Sequence, residues 1–297
     1  MRNRKGISMT QALLALAIAA VFGATLVLAA DSASDTFSAS LVLGNTAPVI
    51  ITVTVGNGGT YNPSSGGATA ISVAVNVMDE DGWKDINLSA TYCNVTKGSR
   101  VVNLSSCTNL SNSSSTTVLL NCTGDNMQYY YLTGSDWSVN CTVVDNSTSS
   151  DNNDTETMTY NRLESVDVTQ ASLSWTSVSQ SSTNLGADDN PVTTENLGNA
   201  YFASLNVTAY ELQGADYPAD KIAASDFSAN DVDASEGEAL ANNTQVTITG
   251  TSLLIGQGST EDVYVYLEQI SEIVAPQTYN SVSDWAVTVY SAANQNP

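Results

Sequence analysis

Ile71-Ser72-Val73-Ala74-Val75-Asn76-Val77 decides how this chain is read. Apolar residues hold the odd positions, and small or polar residues hold the even ones. A period of two puts one row on a core and the other toward solvent, the pattern of a half-buried β-strand. Upstream, Val49-Ile50-Ile51-Thr52-Val53-Thr54-Val55 is a first strand, closed by Gly56-Asn57-Gly58-Gly59. Downstream, Asp79-Glu80-Asp81-Gly82-Trp83 ends the quoted strand. Alternation then resumes at Ile86, Leu88, Ala90 and Tyr92, with Asn87 on the opposite face. Further strands are expected at Thr116–Cys122, Ser138–Val144 and Glu156–Tyr160, and the Ser/Asn-rich stretch 109–115 reads as a loop. A second series is expected at Ser165–Val168, Leu173–Val178, Phe202–Tyr210, Gln245–Thr249, Val263–Glu268 and Trp285–Tyr290, with a short helical turn within 214–241. No long stretch after residue 35 has helical periodicity. The expected fold is mainly β: two tandem β-sandwich domains, 46–161 and 162–297, after an N-terminal hydrophobic α-helix in 1–30 and a linker over 31–45. An internal echo supports two similar domains. Ser135-Asp136-Trp137-Ser138-Val139 returns as Ser283-Asp284-Trp285-Ala286-Val287, each a few residues after a tyrosine, Tyr131 or Tyr279.

Composition narrows the function. The chain of 297 residues has a formal net charge of −22, 42% apolar residues and 13% charged residues. The apolar share is enough for a core, and the charged share is about half the usual value. The imbalance comes from scarce bases: 8 Lys+Arg stand against 30 Asp+Glu. Three of those bases, Arg2, Arg4 and Lys5, precede residue 6. No basic face remains to hold phosphates, so a nucleic-acid partner is disfavoured. There is no His, which removes the commonest general base and transition-metal ligand together.

The N-terminus sets the compartment. Ala12 to Ala30 is an uncharged, mostly apolar run behind the basic flank, so everything after it is expected outside the cell. Three readings stand: a cleaved secretory signal peptide, with small residues around Val27-Leu28-Ala29; a retained membrane helix of nearly bilayer length; and a pilin-like segment. For the third, Arg4-Lys5-Gly6-Ile7 before a long apolar run resembles the class III signal of archaeal type IV pilins. That resemblance implies cleavage after Gly6, Ile7 as the new N-terminus, and a helix that packs into a filament core. Gln11 stands where that family often carries Glu.

Cysteines and sequons agree with export. Cys93, Cys107, Cys122 and Cys141 are even in number, close in sequence and without C-x-x-C spacing, which points to disulfides rather than zinc. Strand parity sets Cys141 inward with Trp137, Val139 and Val143, and Cys93 outward beside Tyr92. Nested pairs, Cys93–Cys141 and Cys107–Cys122, are expected, each stabilising by roughly 2–4 kcal/mol. Asn-x-Ser/Thr occurs at Asn87, Asn94, Asn103, Asn109, Asn112, Asn121, Asn140, Asn146, Asn153, Asn206 and Asn242. The crowding between 87 and 155 makes this region the expected site of N-glycosylation.

Asn45-Thr46-Ala47-Pro48, Val77-Met78-Asp79-Glu80-Asp81-Gly82 and Ser135-Asp136-Trp137-x-Val139 resemble the Ig-like or cadherin-like modules of archaeal surface proteins. Leu173-Ser174-Trp175, Asn190-Pro191-Val192 and Asn196-Leu197-Gly198-Asn199 are similar to the Ig-like domains that follow them. The resemblance implies surface architecture or adhesion, not a reaction.

The chemistry that remains is modest. Asp79, Asp81 and Asp85, on a tight Gly82 turn, offer hard oxygen ligands to Ca²⁺, the one expected cofactor. The bland alternative is a solvated turn. Asp145 and the Asp151–Asp154 loop join such a site only if the fold brings them near, and Asp188-Asp189 and Asp231-x-Asp233 read as ordinary acidic loops. No Ser-His-Asp or Cys-His set can form, and Gly56-Asn57-Gly58-Gly59 precedes no helix that would make it a phosphate loop. Tyr129-Tyr130-Tyr131 reads as a corner bracing its turn rather than a sugar platform. The expected function is a non-enzymatic extracellular structural or adhesive cell-surface glycoprotein. The alternatives are a type IV pilin-like filament subunit and a carbohydrate-binding accessory module. Expected partners are other surface proteins, copies of itself, glycans, and the membrane if the N-terminal helix is kept.

Overall fold

A computed structural model describes residues 38–176 and 178–291. Asn45–Pro297 forms one compact unit and Met1–Gly44 another. The expected N-terminal helix, with Gly6 and Ile7, lies outside the described residues. Among those described, no helix is long and apolar enough to cross a membrane.

The chain is mainly β, as the alternation demands. The first series comprises β1 (Val49–Val55), β2 (Thr60–Tyr61), β3 (Ala68–Thr69), β4 (Val73–Met78), β5 (Tyr92–Lys97), β6 (Arg100–Leu104), β7 (Ser106–Asn112), β8 (Thr117–Thr123), β9 (Met127–Gln128), β10 (Gly134–Val144) and β11 (Ser150–Tyr160). They form a sheet in the order β1-β4-β8-β7, a sheet in the order β2-β11-β10-β5-β6, and a small β3-β9 pair. Neighbours in the two large sheets run antiparallel except β2 and β11. Inward rows from both sheets meet in one core: Val73, Val75 and Val77 from β4 with Val95 from β5 and Val139 and Val143 from β10.

Both expected disulfides are present, with Cα atoms 4.0 Å apart in each. Cys93 lies directly opposite Cys141 between β5 and β10, and Cys107 opposite Cys122 between β7 and β8. Such close approach belongs to non-hydrogen-bonded antiparallel pairs. Each sheet therefore carries one internal bond that locks its register, and neither bond joins sheet to sheet. Cys93 faces inward, contrary to the sequence parity, and Tyr92 is 39% exposed. The reason is local. Asn87 closes a turn by accepting from the N–H groups of Ala90 and Thr91, so the row Ile86–Tyr92 is not one strand and the alternation restarts at β5.

The stretch 109–115 also departs from expectation. β7 runs on to Asn112. Its asparagines and serines face solvent on a sheet edge, where composition does not forbid pairing.

Trp137, fully buried, anchors the end of the core near residue 134. Its indole N–H donates to the Leu132 carbonyl at 2.9 Å. Tyr131 stacks on it at 6.0 Å and Tyr160 meets it edge-on at 6.5 Å. Of the tyrosine triad, Tyr131 is the member that braces Trp137, with Arg100 lying over it; Tyr130 meets Tyr131 edge-on.

The second series comprises β12 (Val166–Val168), β13 (Thr183–Gly186), β14 (Val192–Asn196), β15 (Phe202–Ala209), β16 (Leu212–Gly214), β17 (Lys221–Ile222), β18 (Phe227–Asn230), β19 (Glu238–Ala239), β20 (Thr244–Ile248), β21 (Thr260–Gln269), β22 (Tyr279–Ser281) and β23 (Ala286–Ser291). The sheets are β12-β14-β21-β18-β19 with β13 also on β21, then β20-β15-β23, then β17-β16-β22. A second core gathers around Phe202, Leu205, Phe227, Val263 and Val265. The expected helical turn is the 3-10 turn Ala224–Asp226. Leu173–Val178, expected as a strand, belongs to no strand among its described residues. It is pinned instead by side chains: Thr176 N–H donates to Asp188, Ser174 donates to Asp189, and the Trp175 indole donates to the Leu185 carbonyl.

The two echoed tryptophans differ in burial. Trp137 is fully buried, whereas Trp285 is only half-buried. Trp137→Ala is expected to cost about 3–5 kcal/mol, and Trp285→Ala clearly less in dilute protein. Denaturant unfolding of the two variants checks this order.

Candidate metal centre

The acidic turn follows directly from how β4 ends. The Asp79 N–H donates to the Thr116 carbonyl at 2.8 Å, the last rung of the pairing with β8. The chain then reverses through Gly82, whose φ of 109° suits glycine alone, and a single 3-10 turn Trp83–Asp85. The reversal brings the carboxylates of Asp79, Asp81 and Asp85 together, with one oxygen from each within 4.8 Å of the others.

These three are unequal. Asp79 is 1% exposed, Asp81 exposed and Asp85 half-buried. Asp79 Oδ1 accepts from the Asp81 N–H at 2.9 Å. Asp79 Oδ2 is buried and has no hydrogen-bond partner. Asp81 Oδ2 accepts from the Thr46 N–H at 2.6 Å, and Asp85 Oδ1 from the Asn146 amide at 3.4 Å. Burial first, then the charges of Asp85, Asp81 and Asp145, push the Asp79 carboxyl above its ordinary 3.8, against the pull of the Asp81 N–H.

Asp145 comes near, as the sequence reading required for it to matter, but its oxygens are engaged. Oδ2 accepts from Asn45 at 2.8 Å, and Oδ1 from the N–H groups of Ser147 and Ser149, both at 2.8 Å. Burial alone would raise its pKa; these donors outweigh it and hold the carboxyl below 3.8. Asp151 accepts from the Ile50 N–H on β1 and from the Asn152 N–H, so both its oxygens are engaged. Asp188 and Asp189 pin the 173–176 segment, and Asp233 accepts from Tyr266, whose hydroxyl burial and that aspartate push up to about 12. The part played by Asn45 and Thr46 carries no sequence signal, because the contacts span 100 and 35 residues.

A buried, unpartnered carboxylate oxygen is costly. No Lys or Arg makes an ion pair with the cluster among the described residues. Two solutions exist chemically: a proton on Asp79, or a hard cation that takes one oxygen from each aspartate. Three close carboxylate oxygens suit Ca²⁺, which takes 6–8 oxygen ligands and accepts water for the rest.

The sequon asparagines mostly reach the surface. Asn103, Asn109, Asn112, Asn146 and Asn242 are exposed, and Asn87, Asn94, Asn121, Asn140 and Asn153 are half-buried. Asn206 is 8% exposed, between Thr247 and Thr288 of the flanking strands, with its side-chain oxygen unpartnered. A glycan acceptor needs exposure, so the sequence reading does not carry over to Asn206. No protein-family model matches the chain, and no curated protein matches it.

The signs of the two shifts are opposite. The raised Asp79 pKa favours the fold below 3.8 and loses that contribution as pH climbs through the higher folded value. The lowered Asp145 pKa favours the fold above 3.8 and loses it as pH falls through the folded value. At pH 7 in chelator, Asp79→Asn is therefore expected to stabilise by about 1–3 kcal/mol. Millimolar Ca²⁺ should raise the Tm of the wild type and leave that of Asp79→Asn unchanged. Thermal melts with and without the ion check both, and an unshifted wild type would dismiss the site.

Proposed function

We propose that this chain is an exported, non-enzymatic surface protein whose two series of strands are tandem Ig-like sandwiches, with a structural or adhesive role. The observation that carries this reading is the strand order of the first series. β1-β4-β8-β7 against β11-β10-β5-β6 reproduces the A-B-E-D and G-F-C-C′ sheets of Ig-type sandwiches, element for element in chain order. One buried cystine in each sheet suits an oxidising exterior, and two register locks suit a module that bears load or holds shape.

In this reading, Ca²⁺ bound by Asp79, Asp81 and Asp85 stiffens the end of the module where the chain enters. Thr46 is tied to Asp81 and Asn45 to Asp145, so the ion would fix the first residues of the unit as well as the turn. Glycans would cover the outer faces of both sheets. Asn94 is the direct neighbour of both Asn103 and Asn140 across the outer face. Cross-strand neighbours stand only about 5 Å apart, so these three sequons compete for space, and the exposed Asn103 is the expected acceptor among them.

The pilin-like subunit is the second reading, favoured by Gly6-Ile7 ahead of the apolar run. The mature N-terminus separates it from a cleaved signal. Mass spectrometry of the native protein should find glycans at Asn103, Asn109, Asn112 or Asn146 and none at Asn206. Unmodified peptides throughout 87–155 would contradict the glycoprotein. In the same digest, a start at Ile7 supports the filament and a start near Ala30 removes it.

A further inference from the structure

The two cores are not equally filled. Among the described residues, the apolar side chains left half-buried around the first are Trp83, Leu88 and Tyr131. Around the second there are twelve, among them Leu173, Trp175, Leu212, Val274, Trp285 and Val287. These six border one cavity of about 1190 Å³, which reaches inward to Val207 on β15, Phe227 on β18 and Val265 on β21. Sites for small molecules run from about 300 to 1,000 Å³, so this one has room for a long chain or several fused rings.

The cavity has a local cause. Leu173–Thr176 joins no strand, because the Ser174 hydroxyl and the Thr176 N–H are bonded to Asp189 and Asp188. Held in this way, the segment stands as a wall, with Leu173 and Trp175 half-buried along the cavity. Trp175 packs on the fully buried Phe227 at 5.1 Å, and Phe227 meets Trp285 at 5.3 Å. Three aromatic rings therefore line one side.

The larger polar groups of the wall are already engaged by the protein. The Trp175 indole donates to the Leu185 carbonyl, and the Trp285 indole to that of Tyr210. The Tyr279 hydroxyl donates to the Ala275 carbonyl and accepts from the Gln277 amide, whose oxygen accepts from the N–H groups of Asp216 and Tyr217. Gln180 donates to the Glu272 carbonyl and accepts from the Val274 N–H. Asp284, exposed, is the one charged side chain along the cavity among the described residues. A carboxylate or phosphate would lose its water here and meet no base, only an acid at the rim. A polar ligand would find few free groups to replace its hydration. Apolar burial is what the walls offer.

We infer that this cavity binds an uncharged, hydrocarbon-rich small molecule. Affinity then follows chain length, about three- to fourfold per methylene. The inference does not use the surface role proposed above, and either can fail without the other.

Calorimetric titration of the full chain with 1-octanol, 1-decanol and decanoate at pH 8 provides the test. Decanol should bind saturably and about tenfold more tightly than octanol, which is two methylenes shorter. Decanoate has the same chain length and a charge, and should bind at least about tenfold more weakly than decanol. Leu173→Trp fills the cavity and Leu173→Asp charges it. Both change a half-buried side chain outside the strands, and each should weaken decanol binding about tenfold or more while thermal melting shows a folded chain. No saturable binding of decanol, decanoate binding as tightly, no dependence on chain length, or unchanged affinity in both variants would each overturn the inference. Binding only to vesicles of neutral lipid, and not to free decanol, would overturn it in favour of a membrane-docking face.

Discussion

A sheet with period-two patterning has an apolar face that must be covered, and in this protein the coverage of one strand decides the rest. The row Trp137, Val139, Cys141 and Val143 is sealed because β10 is flanked on both edges and faced by a complete second sheet. Its echo on β23 has the same pattern and, among the described residues, pairs with β15 alone. Trp285, Val287 and Val289 are accordingly half-buried, against the full burial of the β10 row.

The two cystines complement this picture. Both lie within sheets, so they fix registers but leave the contact between sheets to apolar packing. The first series is thereby stiff in each layer. The acidic turn adds a condition at the end where the chain enters. Asp79 carries a buried oxygen without a partner, next to two further carboxylates, and the same corner holds Asn45 and Thr46. Cation binding there would brace the corner where Asn45 and Thr46 are tied. Electrostatics of the whole chain points the same way: with 8 Lys+Arg against 30 Asp+Glu, the field favours cations near the surface.

Much of this was legible before the fold. β1 matches its expected span residue for residue, the even number of cysteines pointed to two disulfides, and the nested pairing expected for them is the one present. What failed did so where a local interaction overrode pattern. The Asn87 turn broke the alternation before Cys93, and side-chain bonds to Asp188 and Asp189 held Leu173–Thr176 out of a strand. β7 was hidden because an exposed edge strand tolerates asparagine and serine. The acid cluster was legible as residues, but its energetics were not. That Asp79 is the buried member, and that Asn45 and Thr46 complete the corner, depend on long-range contacts that leave no periodic trace.

The central claim is that the buried, unpartnered oxygen of Asp79 is answered by a hard cation held with Asp81 and Asp85. Calorimetric titration of Ca²⁺ into the metal-free wild type and into Asp79→Asn reads it directly. The account predicts saturable binding to the wild type and none to the variant. Equal binding to both, or none to the wild type, would contradict it.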